Sequence, residues 1–600
     1  MAMTLIEKIL AKHSKYESVK AGEIVDIEID ARAARDFGGA NVVKNMQDNG
    51  LTVKDPEKTF FTFDTNPTGS DQKYAANQQI CRFFARENGI KVYDINVGIG
   101  THTFMDKGLA WPGSTAVTTD SHANILGAIG AFGQGMGDQD IAAAWAKGNV
   151  WFKVPASVKI NILGKRPAHI SAKDVVLNLL AKFGANSLLG YSVEIYGPEV
   201  DKFTLDERIT IASMGTEMGA ITLLFTPNQE VMEFCEFRTK RKLERIVADV
   251  DAEYEKVFDL DFSEFVTRVS LPGKPHDTVD IIAAKGTKID SAFVGSCTNG
   301  RMQDLRAVAA ILRNRKVAPG VVLKIVPTTD EIWQEAMDEG LIRIFKDAGA
   351  LVSNAGCAGC AAGQVGQNGV GEVTISTGNR NFPGKQGKGK VYLATPSVVA
   401  ASAVAGYITT PDEIPDEPML FEHISNQSRV KAEEKTPVFT PTAIQGRVWV
   451  IEEDNIDTDM IFHNRYLAIT ELNEMGQYTF DNLPGHESFA KHAKKGDIVI
   501  VGKNFGSGSS RQQAVDCFKS LGVQAVLAKS FGAIYERNAI NAAFPIVTYS
   551  DLSKLDIKSG DNISVNFETG EIISLYNNEK VFAQPFSEVQ LEIYKNGGLF

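Results

Sequence analysis

Cys357 and Cys360 stand two residues apart in "NAGCAGCAAGQ", a glycine- and alanine-rich stretch covering residues 354–364. A C-x-x-C pair serves as a redox dithiol, as half of a zinc site or as one edge of an iron–sulfur cradle, and each use needs different companions. The nearest companion in type is Cys297 in "FVGSCTNGRMQDL", just after an apolar strand pattern. Structural zinc asks for four closed ligands, and none of the nine histidines sits beside these cysteines at finger spacing. A thioredoxin-like dithiol has no use for Cys297. Three thiolates suffice to anchor a cubane 4Fe–4S cluster and leave one iron open to substrate. Spacing alone leaves a cluster, zinc and unrelated thiols all standing.

The other cysteines read as structural. "QQICRFFA" and "VMEFCEFR" place Cys81 and Cys235 in apolar helical patterns, and Cys517 falls on the helix that follows a Gly-Ser loop.

The elements that must position these residues alternate short β-branched runs with longer helical patterns from about residue 20 to 420. "ASVKINILG" and "KVYLAT" read as strands, and "TDEIWQEAMDEGLIRIFKDAG" carries helical periodicity and ends in glycine. Such alternation predicts α/β domains with largely parallel sheets. "ISNQSRVKAEEKTPVFTPTAI", residues 424–444, is polar, has two prolines and lacks a period, so it reads as a linker. "GRVWVIEEDNIDTDMI" restarts a strand-rich pattern, "DIVIVGKNFGSGSSRQQAVDCFKSLG" gives strand, loop and helix, and "NISVNFETGEIISLY" reads as a closing β meander.

With 600 residues, 44% hydrophobic and 23% charged, the chain is of ordinary globular composition and too long for one core. Its net charge of −12 argues against nucleic-acid or anionic-membrane binding. No run of 18 apolar residues offers a membrane span. Six cysteines make no disulfide framework, and "MAMTLIEKILAKHSKYESVKAGE" lacks the apolar core of a secretory signal. Together these features predict a cytoplasmic enzyme.

A second motif narrows the chemistry. "VTTDSHANILGAIGAFGQGMGDQDIAAAW", with Asp120, Ser121 and His122, resembles the DSH signature of the aconitase and isopropylmalate isomerase superfamily. "GSCTNGRMQDL" and "GCAGC" are similar to its three cluster cysteines, "TGNRNFPGK" to its substrate-carboxylate loop, and "DNIDTD" and "FGSGSSRQQA" to its mobile swivel domain. The motifs occur in family order over about residues 20–550, with the large and small subunits of the archaeal-type isopropylmalate isomerase joined in one chain. The resemblance implies a three-subdomain α/β body over 1–423, a linker over 424–444, and an α/β swivel domain over 445–600 with a C-terminal β extension. The active site would lie in the cleft between them.

It also implies roles. Cys297, Cys357 and Cys360 would hold a 4Fe–4S cluster with one open iron, a Lewis acid for dehydrating and rehydrating a small hydroxy di- or tricarboxylate. Ser509 would be the base, with Ser510 and Arg511 beside it. Unaided, "GSGSSR" reads as a flexible loop or an anion nest, although its place before a helix start favours negative charge there. His102 and Asp120 match a pair that assists hydroxyl departure, in which the carboxylate would orient the imidazole and raise its basicity. Glu217 in "ASMGTEMGA" would support His122, and Asp64 belongs to the same machinery. Arg380 and Lys385 would bind substrate carboxylates. Arg465, Ala468 and Ile469 lie in the loop that discriminates substrates. Family members that bind an extra carboxylate carry Arg soon after the Tyr-Leu pair; Ala468 and Ile469 there favour an apolar substituent on a malate core.

Several positions depart from the family pattern. Thr65 follows Asp64 where the family has histidine, Lys385 replaces arginine, and Thr103 follows His102 in place of glutamine. Ser213 stands for asparagine, Ala123 for threonine, and the cysteine pair encloses Ala-Gly instead of Gly-Pro. Three functions follow as expectations: a hydro-lyase on 3-isopropylmalate or a related alkylmalate, the same chemistry on aconitate or homoaconitate, and a catalytically weak cluster-binding sensor.

Overall fold

The computed structural model describes residues 2–67, 72–360, 365–419 and 440–599, and of Cys360 the backbone. The chain divides into two compact units, Met1–His423 and Ile424–Phe600. Most of the predicted linker, 424–439, lies outside the described residues.

The first unit is built on three larger sheets. Five parallel strands run in the order Lys91–Tyr93, Thr59–Thr62, Ala31–Arg35, Thr115–Thr118, Phe132–Gly135. Thr59–Thr62 and Thr115–Thr118 are buried along their whole length, as expected for parallel strands covered on both faces. Four parallel strands follow in the order Thr222–Phe225, Ser192–Tyr196, Ser157–Leu163, Lys256–Asp261. The third sheet has a parallel core of Lys390–Leu393, Val373–Ser376, Ser291–Val294, Val322–Ile325 and Leu351–Val352, edged by antiparallel Arg268–Ser270 and Thr278–Asp280. The α/β class expected from alternation is what forms.

The long helical pattern near residue 330 is two helices, Asp330–Asp338 and Leu341–Ala348, because Gly340 takes a left-handed φ of +74° that ends the first and starts the second.

In the second unit, Ile546–Thr548, Ala525–Ala528, Ile498–Val501 and Ala443–Ile451 pair in parallel. Antiparallel Asn562–Asn566, Glu571–Ser574 and Lys580–Phe582 continue the same sheet. A helix that the sequence pattern did not suggest, Glu588–Lys595, closes it. Ser587 caps that helix, and Tyr594 packs edge-on against Phe567 and Phe586.

Parallel strands leave their loops on the carboxyl side, where the backbone is irregular and ligands gather. Arg35 ends Ala31–Arg35, Asp64 lies two residues past Thr62, and Asp120 two past Thr118. Cys297 follows Val294, and Asn379 and Arg380 follow Ser376. Chain order separates these residues, but the parallel topology collects them.

Candidate active site

Three strand ends of the first sheet meet in a buried charge network. Arg35 donates from Nε to Asp64 Oδ1 at 2.7 Å, and its Nη1 lies 3.3 Å from Asp120 Oδ1. Asp64 Oδ2 accepts from the Gly100 amide at 2.7 Å, at the start of the helix Gly100–Asp106. Both carboxylates are buried. Burial raises the Asp64 carboxyl above the ordinary range despite Arg35, because Asp36 and Asp120 add like charge. For Asp120, Arg35 and then His122 overcome burial and hold the carboxyl below that range. Thr65 turns its hydroxyl toward Asp64 Oδ1 at 3.4 Å, and its amide donates to Asp36 at 3.0 Å.

The expected pairing of His102 with Asp120 does not form. His102 Nε2 lies 3.0 Å from the Cys297 carbonyl, which can only accept, so Nε2 carries the proton. Nδ1 then accepts from Arg301 Nη1 at 3.3 Å. Arg301 is in turn held by Asp106 at 3.2 Å and Asp206 at 2.6 Å. Burial, then the Arg301 charge, push the imidazole down to about 4. Its basicity is thus lowered rather than raised, and it braces the loop that carries Cys297. Among the described residues no carboxylate bonds a nitrogen of His102, and Asp106 and Asp206 both pair with Arg301.

His122 is the imidazole that carboxylates hold. Nε2 lies 3.2 Å from Glu217 Oε1 and Nδ1 lies 3.7 Å from Asp120 Oδ1, while the His122 amide donates to Asp120 Oδ1 at 3.0 Å. Burial opposes the charged ring, but Glu217 and Asp120 outweigh it and raise its pKa. Glu217 sits in the turn Thr216–Met218 and accepts from Arg380 Nε at 2.8 Å. Burial would raise its carboxyl, yet His122 and Arg380 hold it below the usual range. Its Oε2 is buried without a hydrogen-bond partner among the described residues.

Of the cysteines, Cys297 is buried and Cys357 partly so. The Asn379 side chain lies 3.3 Å from Cys297 Sγ, and the Cys357 amide donates to the Asp64 carbonyl at 2.9 Å. A 3₁₀ turn, Ala358–Cys360, follows Cys357 directly, and in it Ala358 takes φ +48°. That left-handed value suits the glycine usual in the family, so the Ala-Gly departure carries backbone strain. The Cys360 side chain lies outside the described residues. Cys81, Cys235 and Cys517 are buried in helices, and burial pushes their thiols up to about 12, as inert core residues require.

The donor set suits a cluster. Asn379 offers an N–H to one thiolate, the Arg35 charge lies near another, and Arg35 Nη2 is a buried donor without a hydrogen-bond partner among the described residues. Lys173, fully buried, donates to the Thr377 and Gly378 carbonyls at 2.9 Å each and so fixes the loop leading into Asn379 and Arg380. Sequence reasoning missed Arg35, Arg301, Asn379 and Lys173. The second and third lie inside quoted motifs, next to assigned positions.

Lys385 is partly buried in the same unit as Arg380, after Gly384. In the second unit, the loop from Val501 to the helix Gln513–Leu521 is pinned by Asp457, which caps Thr458–Ile461. Thr458 donates its amide to the Ser507 carbonyl at 2.9 Å, and the Ser509 amide donates to Thr458 Oγ1 at 3.1 Å. Gly506 has φ +74°, and a Cβ there would fall 2.3 Å from the Tyr535 ring. Ser509 and Ser510 are exposed, four and three residues before the helix begins at Gln513. Arg511 is held by Asp459 and by the Phe462 carbonyl. Arg465 pairs with Asp481 at 2.7 Å and lies over the Tyr466 ring. Ala468 is exposed and Ile469 partly buried against the core of this unit.

Carboxylates, an imidazole between two of them, and arginines gather at strand ends beside Cys357. Sequence comparison identifies the class. The aconitase family (aconitate hydratase) matches residues 7–406, and the aconitase C-terminal domain matches residues 450–551. The chain belongs to the aconitase family and is a carbon–oxygen hydro-lyase of that family, with the large-subunit and C-terminal parts in one chain. Members of the family act on small hydroxy acids and typically bind a 4Fe–4S cluster.

The probable 3-isopropylmalate dehydratase large subunit of Methanothermobacter thermautotrophicus is 40% identical over 418 residues, 69% of this chain and 100% of that protein. The homoaconitase large subunit of Thermus thermophilus is 38% identical over 70% of this chain and 99% of its own length. The mitochondrial homoaconitase of Yarrowia lipolytica is 31% identical over 582 residues, 90% of this chain and 84% of that protein. Among the described residues no helix is long and apolar enough to cross a membrane.

Proposed function

We propose that this chain is a 4Fe–4S-dependent hydro-lyase that dehydrates and rehydrates 3-isopropylmalate or a related alkylmalate. The observation that carries the substrate class is the pairing of Arg465 with Asp481, next to the apolar Ala468 and Ile469. The substrate loop then offers no spare cation for a third carboxylate and an apolar surface for an alkyl group. Relatives named 3-isopropylmalate dehydratase support the same reading.

Cys297, Cys357 and Cys360 would hold the cluster, whose open iron supplies Lewis acidity toward the substrate hydroxyl and one carboxylate. Arg380 and Lys385 bind substrate carboxylates, Arg380 in an orientation set by Glu217. Ser509 takes the carbon-bound proton, with Ser510 and Arg511 beside it. His122, kept protonated by Glu217 and Asp120, returns a proton to the departing hydroxyl, which leaves as water. Asp64 and Asp120 remain on Arg35, and His102 stays neutral under the cysteine loop. A cluster and reduced thiols suit a reducing compartment, which supports a cytoplasmic setting.

A second reading, aconitate or homoaconitate hydratase, is favoured by the likeness to the Yarrowia homoaconitase over 90% of the chain. The test is anaerobic reconstitution with iron and sulfide, then ultraviolet absorbance of the unsaturated acid across alkylmalates and tricarboxylates. Turnover of alkylmalates at least tenfold faster supports the first reading, and the reverse order supports the second. A formed cluster with no turnover of any of them overturns both and leaves a cluster-binding sensor.

A further inference from the structure

The helix Leu5–Lys12 is bonded at its two ends to two different sheets of the first unit. Between those ends Leu5, Ile6, Ile9 and Leu10 are fully buried. At its start the Leu5 amide donates at 2.7 Å to Glu194, on the strand Ser192–Tyr196 of the four-stranded sheet. Glu194 also accepts from the Tyr196 and Tyr254 hydroxyls. At its end His13 reaches the five-stranded sheet. Nε2 lies 2.8 Å from Asp30 Oδ2, one residue before Ala31–Arg35, and Nδ1 lies 2.8 Å from the Ile9 carbonyl. A carbonyl only accepts, so Nδ1 carries a proton. Asp30 Oδ2 already accepts the Thr115 amide at 3.1 Å and, as a carboxylate, only accepts too, so Nε2 carries a second. The ring is therefore an imidazolium, placed where the last helix carbonyls lack partners and the helix dipole favours positive charge. Burial opposes that charge, but Asp30 and then the Ile9 carbonyl outweigh it and raise the pKa of His13. Lys12 on the same helix opposes the charge, and Lys58, which acts on Asp30, is paired with Glu28 at 3.2 Å.

We propose that Leu5–Lys12 is a pH-operated strap between the two sheets, closed while His13 carries its second proton and released when that proton leaves. The sheets it joins are those that bring His122 and Glu217 together. His122 follows Thr115–Thr118, whose first residue shares Asp30 with His13. Glu217 precedes Thr222–Phe225, which pairs with the strand that carries Glu194. Once the ring is neutral, Nδ1 keeps its proton on the Ile9 carbonyl and Nε2 turns a lone pair toward a carboxylate. Attraction then becomes repulsion at side chains only 10% and 16% exposed. Because the folded pKa lies above the ordinary 6.5, the contact is intact below that value and lost as pH rises through the raised one.

The test is hydrogen exchange of the full chain, read by mass spectrometry on the peptide that covers the helix, from about pH 6 to about pH 9 and corrected for intrinsic exchange. Wild-type protection should fall at least about tenfold in a single step, the equivalent of one pKa unit. His13→Gln, neutral at every pH, should show weak protection and no step. His13→Lys, whose charge persists over this range, should hold the helix without a step. Asp30→Asn should move the step to lower pH, because the carboxylate that favours the charge is gone. The wild-type profile carries the test alone if the variants do not fold. A flat wild-type profile, the same step in His13→Gln or His13→Lys, or an unmoved step in Asp30→Asn overturns the strap.

Discussion

In the first unit, Asp64, Asp120, His122 and Glu217 are buried, and each carboxylate rests on a cation. In the second, Ser509 and Ser510 lie exposed on a loop anchored through backbone contacts and one threonine hydroxyl. The difference concerns when electrostatic cost is met. The buried network pays desolvation on folding and keeps its dipoles aligned for developing charge. The serine loop meets no such cost on folding, and Ser509, in the base role proposed above, would meet it only when substrate binds.

This contrast can be broken most severely at the thiols. Cys297→Ser should abolish the cluster absorbance near 400 nm after reconstitution while the second unit keeps its fold by circular dichroism. Retained brown colour would remove Cys297 from the ligand set. A smaller loss is expected at Glu217→Gln, which leaves His122 and Arg380 without their shared carboxylate. Breaking such a buried pair costs roughly 3–5 kcal/mol, seen as a lower denaturation midpoint of the first unit. A change below about 1 kcal/mol would mean that the pair is not desolvated as the structure has it.

The buried network also sets a pH dependence. His102 is held neutral with its pKa pushed down to about 4, against an ordinary value of 6.5. The unfolded chain therefore binds a proton more readily than the folded one between these values, and stability is lost as pH falls from about 6.5 to 4. The loss reaches about 1.4 kcal/mol per pH unit, and His102→Gln should flatten the midpoint-versus-pH curve over that window. An unaltered slope would refute the neutral assignment. The smallest effect belongs to Ala358→Gly, which relieves φ +48° in the cysteine turn. It should stabilise the first unit by up to about 1 kcal/mol and speed cluster uptake; slower uptake would argue that alanine's stiffness helps the turn.

Much of the site was legible because its chemistry sits in short local strings: the cysteine pair, the DSH segment, the Asn-Arg-Asn loop and the Gly-Ser loop. Alternation of strand and helix was enough for the α/β class. What stayed hidden was pairing, which arises where distant strand ends converge. Nothing in "GIGTHTF" could say that His102 faces Arg301, since Arg301 lies 199 residues away in sequence. Arg35 in "ARAARD" has no motif to announce it, and Lys173 reads as an ordinary surface lysine although it is fully buried. The two-helix break at Gly340 was masked by a periodicity that continues across it.

The division of labour between the units is tested most directly by Ser509→Ala on reconstituted protein, with cluster spectrum and turnover read on the same sample. The account predicts an unchanged spectrum and a turnover number at least about a hundredfold below wild type, the scale of a lost acid–base group. Turnover near wild type with the cluster intact would contradict it.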